Sequence, residues 1–115
     1  MLWENLSGPA FESGVARAEG VCIIPVGVLE YHGAHLPLGT DMLYSHAVAC
    51  GAADREPAIV YPAYHFGVNT ETKHYPGGIV IKDELLLRRT GGCRCGLGNG
   101  SRFHGRIPIS FVDCR

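Results

Sequence analysis

The run 21-VCIIPVGV-28 constrains the fold more than any other part of this 115-residue chain. It is β-branched and almost continuously apolar, the pattern of a strand covered on both faces. Pro25 removes a ladder donor, so it belongs at an edge, a bulge or a strand end. Such a strand needs helices beside it, and the flanking sequence supplies them. Ser7 is placed to cap a helix over about residues 9–18. Phe11, Val15 and Ala18 share one of its faces, Gly14 weakens it and Gly20 ends it. Thr40 or Asp41 is expected to cap a second helix, with Met42, His46, Ala49 and Ala53 along one face. The segment 58-AIVYPA-63 reads as a second strand and 79-IVI-81 as a short third. Asp83 is expected to cap a third helix, 84-ELLLRR-89. This order predicts an α/β fold with a layered, mostly parallel sheet and functional groups beyond the carboxyl ends of its strands. At this length the chain holds one modest core, so the sheet is expected to be incomplete.

Composition narrows the function classes. Apolar residues make up 46% and charged residues 18% of the chain, as in ordinary globular proteins. The formal net charge of -1 gives no basis for nucleic-acid binding. No window approaches the roughly 20 apolar residues of a membrane span. The opening MLWENLSGPAFESG lacks a basic region followed by an apolar run, so a cytoplasmic location is expected. Five cysteines make a disulfide framework a poor reading. Cys22 and Cys50 lie in apolar runs and read as small buried hydrophobes.

The chemistry concentrates in 30-EYHGAHLPLGTD-41. Gly33, Pro37 and Gly39 keep this stretch from regular structure. Glu30, His32 and Asp41 offer carboxylate oxygens and an imidazole nitrogen, donors suited to Zn, Mn or Fe. In an extended Glu-x-His segment both side chains point to one face. Asp41 would lie at a helix N-terminus, where its charge is favoured. The competing reading makes Asp41 a simple helix cap and the histidines ordinary hydrogen-bonding groups.

The longer segment 24-IPVGVLEYHGAHLPLGTD-41 resembles the creatininase (creatinine amidohydrolase) family. The family pattern runs Pro-x-Gly at a strand end, then Glu-x-His-Gly-x-His-Leu-Pro, then Thr-Asp. Pro25, Gly27, Glu30, His32, Gly33, His35, Leu36, Pro37, Thr40 and Asp41 all fit it. Tyr31 stands where a Gln is usual, and Ala34 where a Pro is usual. The resemblance implies a dinuclear metal hydrolase of non-peptide or cyclic amide bonds, using Zn or Mn, or Fe. It implies that Glu30 binds the first metal, His32 the second, and that Asp41 bridges them. His35 would orient a ligand or pack as a backbone-satisfied histidine. The family's Phe-Pro-Gly-Thr segment appears here as 75-YPGG-78, which makes Glu71 and His74 candidates to face a substrate. His46 reads as structural, and His65 is open. The expected partner is a small-molecule amide, and the full-length family is expected to form homo-oligomers.

The resemblance covers about residues 10–89 and then fails. Residues 1–87 hold ten acids and four bases, whereas residues 88–115 hold six arginines and one aspartate. Six of the fifteen residues from 91 to 105 are glycine. Such composition is what GC-rich codons give in a shifted frame. The expected organisation is therefore a creatininase-like portion at 1–89 and an aberrant tail at 90–115, frameshifted or disordered. The Cys93 and Cys95 pair is too little for a zinc site, and His104 is not accepted as a ligand. The functional expectation is a metal-dependent amidohydrolase, inactive as this chain. The alternative is a non-catalytic fragment or a small metal-binding module.

Overall fold

The computed structural model describes residues 1–86. The tail at 90–115 and the last turn of the expected third helix lie outside the described residues.

A short 3-10 helix, Trp3–Asn5, precedes helix α1, Gly8–Arg17. Ser7 is its N-cap, and the Ser7 side chain accepts from the Ala10 amide at 3.4 Å. The chain then reverses through Glu19 and Gly20, both with positive φ, 49° and 77°. Gly20 adopts this left-handed conformation at no steric cost. Strand β1 follows, Cys22–Ile23, then helix α2, Thr40–Ala53, then strand β2, Ile59–Val60. β1 and β2 are parallel, with Cys22 opposite Ile59 and Ile23 opposite Val60. This is a β-α-β unit, and α2 makes the crossover.

Both strands are shorter than their apolar runs, and Pro25 is the reason. Regular pairing stops at Ile23 and resumes as a single bridge between Val26 and Tyr64. Between the two lies one extra residue on the second strand, a bulge. Pro25 stays buried and still uses its carbonyl, which accepts from the Tyr64 amide at 2.9 Å. The Gly27 amide donates back to the Tyr64 carbonyl at 2.9 Å, so the backbone remains tied past the proline.

β2 is the better covered strand. Its Ile59 and Tyr61 amides donate to Val21 and Ile23, and its Val60 amide donates the other way, to the Met1 carbonyl at 2.7 Å. Leu2 bridges Val60 in parallel, so β2 is flanked on both edges. Ala58, Ile59 and Val60 are accordingly buried, with Val60 fully so. Trp3 closes one end, 4.5 Å from the Phe11 ring and 5.4 Å from Tyr61. Gly14 lies against Leu6, Met1 and Ile59, which places α1 on this core.

Several expectations are corrected. Residues 79–81 form no strand; the Ile79 amide makes a single bond to the Leu29 carbonyl at 2.9 Å. Gly39 caps α2, and neither Thr40 nor Asp41 does, because both are already inside the first turn. The Thr40 hydroxyl turns back to the Pro37 carbonyl at 2.7 Å. Residues 83–86 are helical, so Asp83 lies within that helix and not at its cap. Cys22 and Cys50 are half-buried. Helix α2 buries Ser45 and Ala49 but leaves Leu43, Tyr44 and Val48 exposed. No helix among the described residues is long and apolar enough to cross a membrane.

Candidate metal centre

The loop after β1 is closed by its own backbone. The Glu30 amide donates to the Leu38 carbonyl at 3.0 Å, so residues 30–38 leave and return at one point. Gly33 has φ +77°, and a Cβ there would also meet the His35 ring at 3.1 Å, so glycine is required at this turn. The loop returns the chain to Gly39, where α2 begins. Its first turn presses on the strand end. At Gly27 a Cβ would collide with the backbone of Asp41 and Met42. Two chain segments thus approach more closely than any side chain allows.

This contact brings three donors together. Glu30, His32 and Asp41 each offer one ligand atom, and these atoms lie within 4.8 Å of one another. His32 Nε2 lies 3.0 Å from Asp41 Oδ1, with the two side chains 20% and 27% exposed. His32 Nδ1 lies 3.0 Å from the Glu30 carbonyl oxygen. A carbonyl only accepts, so Nδ1 carries a proton, which leaves Nε2 as the nitrogen free to exchange its proton for a cation. Burial disfavours the imidazolium. The Glu30 carbonyl and the Asp41 carboxylate outweigh it, and together they raise the His32 pKa above 6.5. Asp41 is in the first turn of α2, where the helix N-terminus favours its charge. The simple-cap reading of Asp41 does not describe this arrangement, since its carboxylate faces His32.

The Glu30 carboxylate has its own partner. Thr72 Oγ1 donates to Glu30 Oε2 at 2.7 Å. Thr72 is held in turn by Asn69, whose Oδ1 accepts from the Thr72 amide at 3.0 Å. Asn69 is 2% exposed. A second link joins the same two loops, the stacked rings of Tyr31 and Tyr75, 4.4 Å apart and 15° from parallel. Sequence reasoning missed Thr72, Asn69 and this stack. The Asn-x-x-Thr spacing that places an Asn side chain on the third following amide was a visible signal for the turn, though not for its target.

The other candidates are placed differently. His35 is exposed, makes no hydrogen bond among the described residues and is not one of the three residues whose ligand atoms converge. Glu71 and His74 are both exposed. His74 lies against Tyr75 with ring centroids 4.3 Å apart, and Tyr75 stacks on Tyr31 between Glu30 and His32. His46 contacts Cys50 Sγ at 3.8 Å on α2. His65 lies against Phe66 at 4.2 Å.

The family model for creatininase, creatinine amidohydrolase, matches residues 4–91. The chain belongs to the creatininase family. It is 35% identical to a creatinine amidohydrolase of Pseudomonas putida, over 95% of this chain and 48% of that protein. It is 38% identical to a mycofactocin precursor peptide peptidase of Mycolicibacterium smegmatis, over 68% of this chain and 38% of the relative. The chain thus spans about half the length, or less, of the curated relatives it matches. Among solved structures, a creatinine amidohydrolase superposes with a TM-score of 0.71 at 29% identity, covering 76% of this chain and 36% of that one. A manganese creatininase gives 0.69 at 28% identity, covering 78% and 41%. Another similar structure is a mutant creatininase of Zn-Zn type. The creatininase α/β fold is therefore present here in part, as a parallel sheet with its helices.

Proposed function

We propose that Glu30, His32 and Asp41 bind divalent cations, Zn or Mn, in an amidohydrolase centre of creatininase type. The observation that carries this reading is the convergence of two carboxylates and one imidazole within 4.8 Å, on the loop after β1 and the first turn of α2. Family membership supports it, and the donor set fits such ions. By resemblance, Glu30 would help hold a first ion, His32 a second, and Asp41 would serve both. Bound cations would polarise an amide carbonyl and acidify water beside it. The chain's own residues prepare that place. Nδ1 of His32 keeps its proton on the Glu30 carbonyl, so Nε2 faces the centre. Asp41 is held by the start of α2, and Glu30 by Thr72. The bond to be cleaved is a C–N amide of a small, cyclic or modified peptide substrate, the range that creatinine and peptide-processing relatives span. Glu71 and His74, on the exposed side of the loop bearing Tyr75, are proposed to face it.

The 115-residue chain by itself is proposed to bind an ion without appreciable turnover. Three ligands leave much of the coordination to water, and none of the three is a proton donor for the leaving nitrogen. The glycine- and arginine-rich stretch 90–115 is proposed to come from a shifted reading frame. The family-model match ends at residue 91, although the Pseudomonas putida alignment runs further. Sequencing the coding DNA in all three frames decides this, and an uninterrupted family reading in the present frame refutes it.

The functional test is a titration of the purified chain with Mn²⁺ and Zn²⁺, alongside Asp41→Ala. Creatinine and a panel of cyclic amides are assayed in parallel. Binding that Asp41→Ala abolishes is expected, with no turnover. Absence of binding overturns the metal centre. Metal-dependent turnover that Asp41→Ala abolishes overturns only the inactivity of the chain.

A further inference from the structure

We infer that Thr72 is a positioning residue for Glu30, setting the carboxylate for ion binding from a loop 42 residues away in sequence. This rests on the proposed metal centre. The contact is short, 2.7 Å from Thr72 Oγ1 to Glu30 Oε2, as expected when a hydroxyl donates to an ionised carboxylate. A threonine hydroxyl has one proton, and here it faces two acceptors. Asn69 Oδ1 lies 3.0 Å from Thr72 Oγ1. Asn69 Oδ1 already accepts from the Thr72 amide at 3.0 Å, so the charged and nearer Glu30 oxygen takes the hydroxyl proton.

The holder is itself held. Asn69 is 2% exposed, and its side chain lies beside Gly78, whose other neighbours are Leu29 and Glu30 at the root of the Glu30 loop. The Tyr31–Tyr75 stack ties the same loops a few residues away. Without Thr72, Glu30 would be a flexible side chain on an open loop, and ion binding would bear the entropy of ordering it. With Thr72, folding bears that cost, and the carboxylate waits in place. Partners that orient metal ligands change affinity by about 10–100-fold when lost.

The test uses the full chain, with Mn²⁺ and Zn²⁺ as probes in calorimetric titrations. Thr72→Val keeps the shape and removes the hydroxyl, and Thr72→Ser keeps the hydroxyl. Thr72→Val is expected to weaken binding about tenfold, with Thr72→Ser close to the parent. A double-mutant cycle of Thr72→Val with Glu30→Gln, read by denaturant unfolding without metal, is expected to show about tenfold coupling in the unfolding constant. Parent binding that Thr72→Val leaves unchanged overturns this inference alone. Weakened binding with no coupling in the cycle assigns the loss to loop damage and also overturns it. A parent chain that binds neither ion refutes the metal centre, and the positioning role with it.

Discussion

One methyl group added at Gly27 drives a carbon into the first turn of α2. The new Cβ would lie 2.6 Å from the Asp41 carbonyl carbon and nearer still to the backbone nitrogen and Cα of Met42. Carbon contacts settle at about 3.5–4.0 Å, so the helix or the strand end must move by about 1 Å. No side-chain rotation relieves the clash, because every atom involved is backbone. Overpacking costs about 1–3 kcal/mol, and rigid neighbours put this case near the upper end. Removing a glycine from the unfolded chain offsets about 0.4–1 kcal/mol. The net for Gly27→Ala is about 2 kcal/mol of lost stability, roughly thirtyfold in the unfolding constant. The damage also has a direction. The turn that moves carries Asp41, so its contact with His32 opens from 3.0 Å. Ligand positions are tolerated within about 0.2 Å, so ion affinity should fall with stability. Urea unfolding and a Mn²⁺ titration of parent and variant measure both. A variant within about 0.5 kcal/mol of the parent, with unchanged affinity, refutes the packing argument.

Other perturbations act more gently. Gly14→Ala should stabilise by about 0.5–1 kcal/mol, since its Cβ would meet Leu6 and Met1 at an ordinary 3.5 Å inside α1; a lower thermal midpoint refutes this. Asn69 Nδ2 is buried without a partner, and a Cβ at Gly78 would lie 3.4 Å from it. Gly78→Ser offers a hydroxyl there and should stabilise by about 1 kcal/mol in denaturant unfolding; a destabilised variant shows that the site has no room or no need. His32 has a pKa raised above 6.5 by its two acceptors. Its stabilising contribution in the metal-free chain is complete below the unfolded-state value and disappears as pH rises through the folded one. Ion affinity should run the opposite way, rising over that window as Nε2 gives up its proton, which titrations in buffers of different ionisation enthalpy will detect as proton release. Affinity independent of pH there removes His32 from the ligand set.

Much of the local structure was legible. Ser7 caps α1 as its position suggests, and both strands lie within the apolar runs that announce them. The strands are short because Pro25 and the adjacent bulge interrupt pairing, a possibility its presence raised without locating. The start of α2 was misplaced by one or two residues. Thr40 and Asp41 have the chemistry of caps, but Thr40 bonds to Pro37, and His32 occupies Asp41. The convergence of Glu30, His32 and Asp41 followed from motif types. The hold of Thr72 on Glu30 was not legible, because a bond spanning 42 residues leaves no mark in any local window.

The chain's own order of residues determined its α/β character, its helix starts to within two residues, and the kinds of donor it can present. These follow from backbone sterics, capping and apolar period, which act between near neighbours. Only the tertiary structure decided that Asp41 faces a histidine, that Glu30 is gripped by Thr72, and that Tyr31 stacks on Tyr75. Those outcomes depend on how closely the first turn of α2 packs against Gly27, in the segment that follows β1. That approach is possible because residue 27 has no side chain, and it places a helix N-terminus, a carboxylate and an imidazole at one point.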